Sequence, residues 1–308
     1  MGLDVSIDPQ GPRPARLAEP LARRVLSMLP AGARRPAAPL DAAAPVLGRL
    51  GSLEVRLARS KAEIRAAQHL RYHVFYEEMS ARPSALQKMT RRDADAFDRI
   101  CDHLLVLDRD KKGSDADQIV GTYRLLRQPQ AEAAGGFYTA GEFEIDTLVR
   151  RHPGLRFLEL GRSCVLPEYR GKRTVELLWQ GIWAYVLHHR IDVLFGCASL
   201  AGTDTERLGG VLTFLKASAP APDEWRVRAV ASRRGPARAD APAIDPKRAL
   251  GALPPLLKGY LRLGGYVGED PVVDHQFGTT DVLIVLPVSR INPRYVNHYG
   301  ADAGRFAA

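Results

Sequence analysis

The chain has 308 residues, a net charge of +9 from 44 Lys plus Arg against 35 Asp plus Glu, and 45% hydrophobic residues. That apolar content supports a core of domain size and excludes a chain disordered throughout. Its 3 cysteines, at 101, 164 and 197, exclude a disulfide framework and a cysteine-based zinc site, and suit a reducing compartment. In chain order, residues 1–50 read as a basic tail rich in Pro and Ala, too poor in bulky groups to order itself. Within it Leu17, Leu21, Val25 and Met28 recur at helical spacing beside Arg23 and Arg24, a frayed helix or a weak anchor for an anionic membrane. One domain is expected over 51–308. Residues 52–58 alternate as a strand, and Ser60 with Glu63 forms a capping box that starts a helix with Ile64, Ala67, Val74 and Phe75 on its apolar face. Residues 103–108 and 119–126 form a hairpin, and 157–165 a further strand. A long helix over 174–189 carries Trp179, Trp183 and Leu187 at i, i+4, i+8, a core stripe or the wall of an acyl channel. A strand with a central glycine follows at 193–199, then short helices at 211–217 and 256–263. Residues 217–248, with five prolines, read as a disordered insertion. Strands 272–277 and 281–288 pair through residues 278–280. The order predicts an α+β fold on one mixed, mostly antiparallel sheet flanked by helices.

The longest apolar runs, such as Val282 to Leu286, fall far short of the ~18 residues of a membrane span. The first 30 residues lack the apolar centre of a signal peptide. The expectation is a cytoplasmic protein whose basic excess selects an acidic partner: nucleic acid, anionic lipid or an acidic protein. Arg and Lys are spread over tail, turn and insertion without a nucleic-acid motif, so nucleic acid is not expected. The eight histidines show no metal spacing, and no metal is expected.

Chemistry concentrates in Glu159-Leu-Gly-Arg162-Ser163-Cys-Val-Leu-Pro-Glu-Tyr-Arg170-Gly-Lys172-Arg173-Thr174, a strand, a basic turn and a helix start. A helix N-terminus binds phosphate through free backbone N–H groups and its dipole. Arg170, Lys172, Arg173 and Thr174 are therefore candidates for holding a phosphorylated donor. Arg71 sits on or beside an apolar helix face, and a buried arginine needs acids such as Asp95, Asp98 and Glu159. Glu159 and Arg162 are three apart on a strand, so only a bulge brings them to one face.

The segment from Val165 to Lys172 resembles the donor-binding strand-turn-helix of the GNAT acyltransferases. Two glycine positions of that family pattern hold Arg173 and Val175 here, which obstructs a close pyrophosphate cradle. A carrier-protein thioester, with a single phosphodiester, needs less room than CoA. Arg71, Phe75, Asp95, Asp98, Arg124, Glu159 and Arg162 also resemble the charged set of the acyl-homoserine-lactone synthases, without the tryptophan expected past Phe75. From about residue 50 onward the chain is similar to the bacterial ornithine acyltransferases of ornithine-lipid synthesis. "Glu159-Leu-Gly-Arg-Ser-Cys-Val", "Leu178-Trp-Gln-Gly-Ile", "Phe195-Gly-Cys-Ala-Ser-Leu-x-Gly-Thr-Asp" and "Thr279-Thr-Asp-Val-Leu-Ile-Val" carry that similarity.

The resemblance implies a GNAT-like fold and transfer of a 3-hydroxyacyl chain from acyl carrier protein to the α-amino group of L-ornithine, with no cofactor. The product is a lyso-ornithine lipid, which implies peripheral contact with the anionic inner membrane. Acyl transfer to an amine needs a proton acceptor and an oxyanion site. Glu159 is the candidate acceptor, Arg162 belongs to the same catalytic set, and backbone N–H groups from Ser163 to Val165 are candidates for the oxyanion. Asp98, Glu78 and Asp204 are candidates for the ornithine side-chain ammonium, Arg71 or Arg124 for its carboxylate, and Asp95 completes the acidic pair. Two other readings are an autoinducer synthase and a non-enzymatic, haemolysin-like membrane protein.

Overall fold

The structure, a computed structural model, describes residues 41–292 apart from 42, 80 and 235–243. The helix expected around Leu17 to Met28, and most of the expected tail, lie outside the described residues. The first elements are β1 (Val46–Leu50), β2 (Leu53–Leu57) and α1 (Lys61–Tyr72), which continues into a π-helical turn at His73–Glu78. Then come α2 (Ala85–Thr90), β3 (Asp102–Asp108), β4 (Ile119–Arg127), α3 (Gln128–Ala133), α4 (Ile145–Arg151), β5 (Phe157–Val165) and α5 (Lys172–His189). The chain goes on through β6 (Val193–Ala201), α6 (Gly209–Ser218), α7 (Pro246–Ala252), α8 (Pro255–Leu263), β7 (Tyr266–Val267), β8 (Val272–Asp274) and β9 (Thr279–Pro287). The sheet runs β1-β2-β3-β4-β5-β6-β9-β7, with β8 also pairing β9. The described pairs are antiparallel except β5 with β6, which α5 joins as a crossover.

Alternation along the strands feeds a core on each face. Leu104 and Val106 of β3 pack with Leu177 and Ile182 of α5, while Leu105 and Leu107 pack with Ala67 and Leu70 of α1. This is why β3 and β4 read as nearly continuous apolar runs: both faces are covered. At the start of α1, the Ser60 hydroxyl accepts the Glu63 N–H at 3.2 Å. Trp179 and Trp183 are core residues, whereas Leu187 stays exposed.

Three expectations are corrected. Residues 46–50, assigned to the tail, form an edge strand whose Leu47 and Gly48 are buried. The stretch expected as a disordered insertion is in part packed: Val227 and Ala229 are buried, Ala229 bridges Phe143, and Trp225 stacks on His152 at 4.1 Å. An extended segment bonded to a sheet edge or a loop shows no periodicity in sequence, which is why both were missed. The last hairpin turns earlier than expected, at residues 275–278, because Asp274 accepts the N–H groups of Gln276 and Phe277. Thr279 and Thr280 consequently belong to β9.

Candidate active site

β5 and β6 pair only at Phe157/Val193, Leu158/Leu194 and Glu159/Phe195, and then separate. Gly196 stands at the fork. A Cβ there would lie 2.2 Å from the Leu160 carbonyl oxygen, so no side chain fits. On its other edge β5 bulges against β4: the partners step from Thr122/Cys164 to Arg124/Gly161, and Arg162 takes a left-handed φ of 51°. The bulge supplies the change of parity that an (i, i+3) pair needs, so Glu159 and Arg162 line one cavity.

That cavity has a volume of about 400 Å³. Its apolar wall includes Leu178, Trp179 and Ile182 of α5 and Leu256 and Leu257 of α8. Its polar end gathers Arg124, Thr139, Glu142, Glu159, Arg162 and Asp281. Ser163, Arg170 and Thr174 also line it.

Glu159 is buried and anchored by neutral donors. Its carboxylate accepts the N–H groups of Tyr138 (2.9 Å) and Thr139 (2.7 Å) and the Thr139 hydroxyl. Burial raises its pKa, and the Thr139 bonds oppose that rise. Its expected pairing with Arg71 does not form. Arg162 instead sits over the rings of Tyr138 and Phe277, both at 4.8 Å, with Nε on Asp93 at 3.2 Å.

Arg71 is fully buried behind the cavity and reaches Asp93 at 2.9 Å and Asp98 at 2.8 Å. Arg124 holds Asp95 at 2.7 Å and lines the cavity with its edge. Burial pushes the Asp98 carboxyl up, but Arg71 and Arg124 outweigh it and hold the group well below the usual range. Arg71, Asp95 and Asp98 are thus a paired network that positions Arg124 and, through Asp93, Arg162. They do not line the cavity, which corrects their assignment as substrate contacts. Asp93 was missed although it joins Arg71, Arg162 and the Tyr76 hydroxyl. The same acid-rich run that drew attention to Asp95 contained it.

Two other assignments are corrected. Asp204 is exposed and caps its own turn through the N–H groups of Glu206 and Arg207, away from the cavity. Glu78 is tied up with Arg170, with Nη2 to Oε2 at 2.6 Å, so the expected ornithine contact and the expected donor contact hold each other. Of the basic turn, Lys172 is exposed and meets Glu176 at 3.4 Å, and Arg173 is exposed beside Gly51. Thr174 is buried. No side chain caps the first turn of α5, whose N-cap is Gly171.

A second acidic group was not foreseen. Glu142, Cys197 and Asp281 bring ligand atoms within 4.8 Å of one another at the polar end of the cavity. The Cys197 Sγ lies 3.5 Å from Glu142 Oε2, and Arg233 Nη2 reaches Glu142 Oε1 at 3.2 Å. Burial and the nearby Asp281 charge push the Glu142 carboxyl up to about 7, and burial pushes the Cys197 thiol well up. A signal for Asp281 existed: an acid inside an apolar strand run.

An acetyltransferase (GNAT) domain model matches residues 70–180. Together with the forked β5/β6 seam, this defines the class: a GNAT-fold acyltransferase. The chain is 58% identical to the L-ornithine N(alpha)-acyltransferase of Rhizobium meliloti (strain 1021), over 86% of this chain and 90% of that protein. It is 55% identical to the L-ornithine N(alpha)-acyltransferase of Brucella abortus (strain 2308), over 85% and 93% respectively. It belongs to the L-ornithine N(alpha)-acyltransferase family. Among solved structures it aligns with FeeM, an N-acyl amino acid synthase from uncultured soil microbes, with a TM-score of 0.42 and 12% identity over 77% of this chain and 91% of that one. No helix among the described residues is long and apolar enough to cross a membrane.

Proposed function

We propose that the chain transfers a 3-hydroxyacyl group from acyl carrier protein to the α-amino group of L-ornithine, the first step of ornithine-lipid synthesis. One observation carries this reading beyond the family: a single cavity is charged at one end and apolar at the other, with the forked seam between. It suits an amino acid meeting an acyl chain. The acyl chain lies against Trp179, Ile182 and Leu257, and the acceptor lies at Arg162 and Glu159.

The α-ammonium loses a proton to Glu159, directly or through one water. The amine nitrogen attacks the thioester carbon, and a C–N bond forms. Backbone N–H groups of β5 from Ser163 to Val165 stabilise the oxyanion. The C–S bond then breaks, and the pantetheine thiolate leaves and takes up a proton. Arg162 offers its guanidinium to the acceptor carboxylate. No cysteine need attack, since burial keeps the thiols of Cys101, Cys164 and Cys197 protonated.

The uncapped first turn of α5, with Arg170, Lys172, Arg173 and Thr174, receives the phosphodiester of the carrier's pantetheine arm. The net charge of +9 favours an acidic carrier. The enzyme works in the cytoplasm and touches the anionic inner membrane only peripherally.

The test is mass analysis of products from the full chain with 3-hydroxyacyl carrier protein or 3-hydroxyacyl-CoA and a panel of amino acids. Acyl-ornithine formed from the carrier-protein donor is the expected result. Turnover with CoA alone overturns the donor assignment, and acylation of every amino acid except ornithine overturns the acceptor.

A further inference from the structure

The ion-pair network behind the cavity balances its own charges, but the acidic group at the cavity's polar end does not. Glu142 and Asp281 are both buried, at 9% and 7% exposed, and both line the cavity. Asp274, which also lines it, adds a third carboxylate close enough to raise the pKa of both. Arg233 pairs with Glu142 at 3.2 Å, and Arg162 acts on Asp281 through its charge without forming an ion pair with it among the described residues. Asp281 Oδ1 is buried and no donor among the described residues meets it with hydrogen-bond geometry, although the Ser199 and Thr279 hydroxyls stand close enough to oppose the rise of its pKa. Leaving a buried carboxylate oxygen without a donor costs its full desolvation, so a group of like charges such as this calls for a cationic donor.

From this juxtaposition we infer that Glu142 and Asp281 form the recognition site for the side-chain ammonium of the acceptor, which makes the enzyme selective for a diamino acid. The inference rests on the acceptor being ornithine, as proposed above. The position suits it. The Thr139 hydroxyl bonds Glu159, and Cys197 Sγ lies 3.8 Å from that hydroxyl and 3.5 Å from Glu142. The acid pair is therefore separated from the proposed proton acceptor by two small side chains, a gap that a three-methylene chain bridges. An ammonium has three N–H donors for Asp281 Oδ1, Glu142 Oε2 and one further acceptor. A divalent metal fits less well. It would share the Glu142 carboxylate with the Arg233 guanidinium, already 3.2 Å away.

The experiment compares L-ornithine with L-norvaline, the same skeleton without the terminal amine, using the full chain and the acyl carrier protein donor. Asp281→Asn and Glu142→Gln are made separately, so that misfolding of one leaves the other informative. The wild type should favour ornithine over norvaline in kcat/KM by 100-fold or more, on the order of a desolvated charge pair. Asp281→Asn should reduce that ratio at least tenfold, chiefly through KM for ornithine, and Glu142→Gln should reduce it in the same direction. A wild-type ratio near one, or a ratio unchanged in both variants, overturns the site while leaving ornithine acylation intact. A wild type that acylates neither amino acid overturns the proposed function instead.

Discussion

Beneath α1, Asp93, Asp95 and Asp98 each meet a guanidinium of Arg71 or Arg124 within 2.9 Å. Across the cavity, Glu142, Asp274 and Asp281 have between them the guanidinium of Arg233, and one oxygen of Asp281 is left over among the described residues. The residue types are alike, but the balance differs. With Arg162 on Asp93, three guanidinium groups face three carboxylates, and such a balanced network needs no further charge and holds walls in place. An acidic cluster with an unmet oxygen is complete only with a cation from outside. The first stands behind the cavity wall and the second faces the cavity, which reverses the ranking that sequence motifs gave to Asp98 and Asp204.

The hardest blow to the balanced network is Arg71→Met, which leaves the three carboxylates to share the guanidinium groups of Arg124 and Arg162. A loss of ~3–5 kcal/mol in stability is expected by urea denaturation. A variant as stable as wild type, yet unable to bind ornithine, would move Arg71 into the substrate site and break the comparison. Glu159 belongs to neither set, because its anchors are neutral. Glu159→Gln should keep the fold and lower kcat by ~10²–10⁴ in steady-state assays, and unimpaired turnover would remove it from the reaction.

Gly196→Ala tests the fork that separates the two regions. The added Cβ meets the Leu160 carbonyl oxygen at 2.2 Å. A stability loss of ~1–3 kcal/mol with impaired acyl transfer is expected from thermal melts and assay. An active, fully stable variant would show that the seam opens by other means.

Protonation sharpens the contrast further. The groups facing Glu142 are Cys197 of β6, Asp281 of β9, Asp274 of β8 and Arg233. Its pKa rises from 4.5 to about 7 on folding, so the native state keeps a proton that the unfolded chain has lost. That contribution to stability falls as pH rises through this window. A substrate ammonium favours the ionised form, so ornithine binding near pH 7 should release a fraction of a proton. Calorimetry in buffers of different ionisation enthalpy reads this release, and Glu142→Gln should abolish it. The smallest effect is expected at the rim. Lys172→Ala at the α5 N-terminus should weaken carrier-protein binding by ~0.3–1 kcal/mol, less so at high salt, and KM for the donor measured across ionic strength checks it.

Much of this molecule could be read in one dimension. Alternation in β2, the apolar runs of β3 and β4, the Ser60 cap and the long α5 are local consequences of pattern and propensity, and they lie close to where they were expected. The family motifs were equally local, and the segment from Glu159 to Val165 does line the cavity. The short helices α2, α3 and α4 and the edge strand β1 were not legible, because each is held by what it packs against rather than by its own pattern. Within the site, Tyr138, Thr139 and Glu142 come from a loop without periodic signal, and they reach Glu159 and Cys197 from 20 or more positions away in the chain.

The sequence by itself determined the fold class, the family, the strand that carries Glu159 and Arg162, and the fact that bringing the two together required a bulge. The tertiary structure decided which charges face the cavity. Burial and pairing depend on what every other element brings to the same place: Arg71 was closed off by Asp93 and Asp98, Asp204 was left in solvent, and Asp281 was set against Glu142 with an oxygen unmet. Charge type is written residue by residue, but charge balance is a property of a volume.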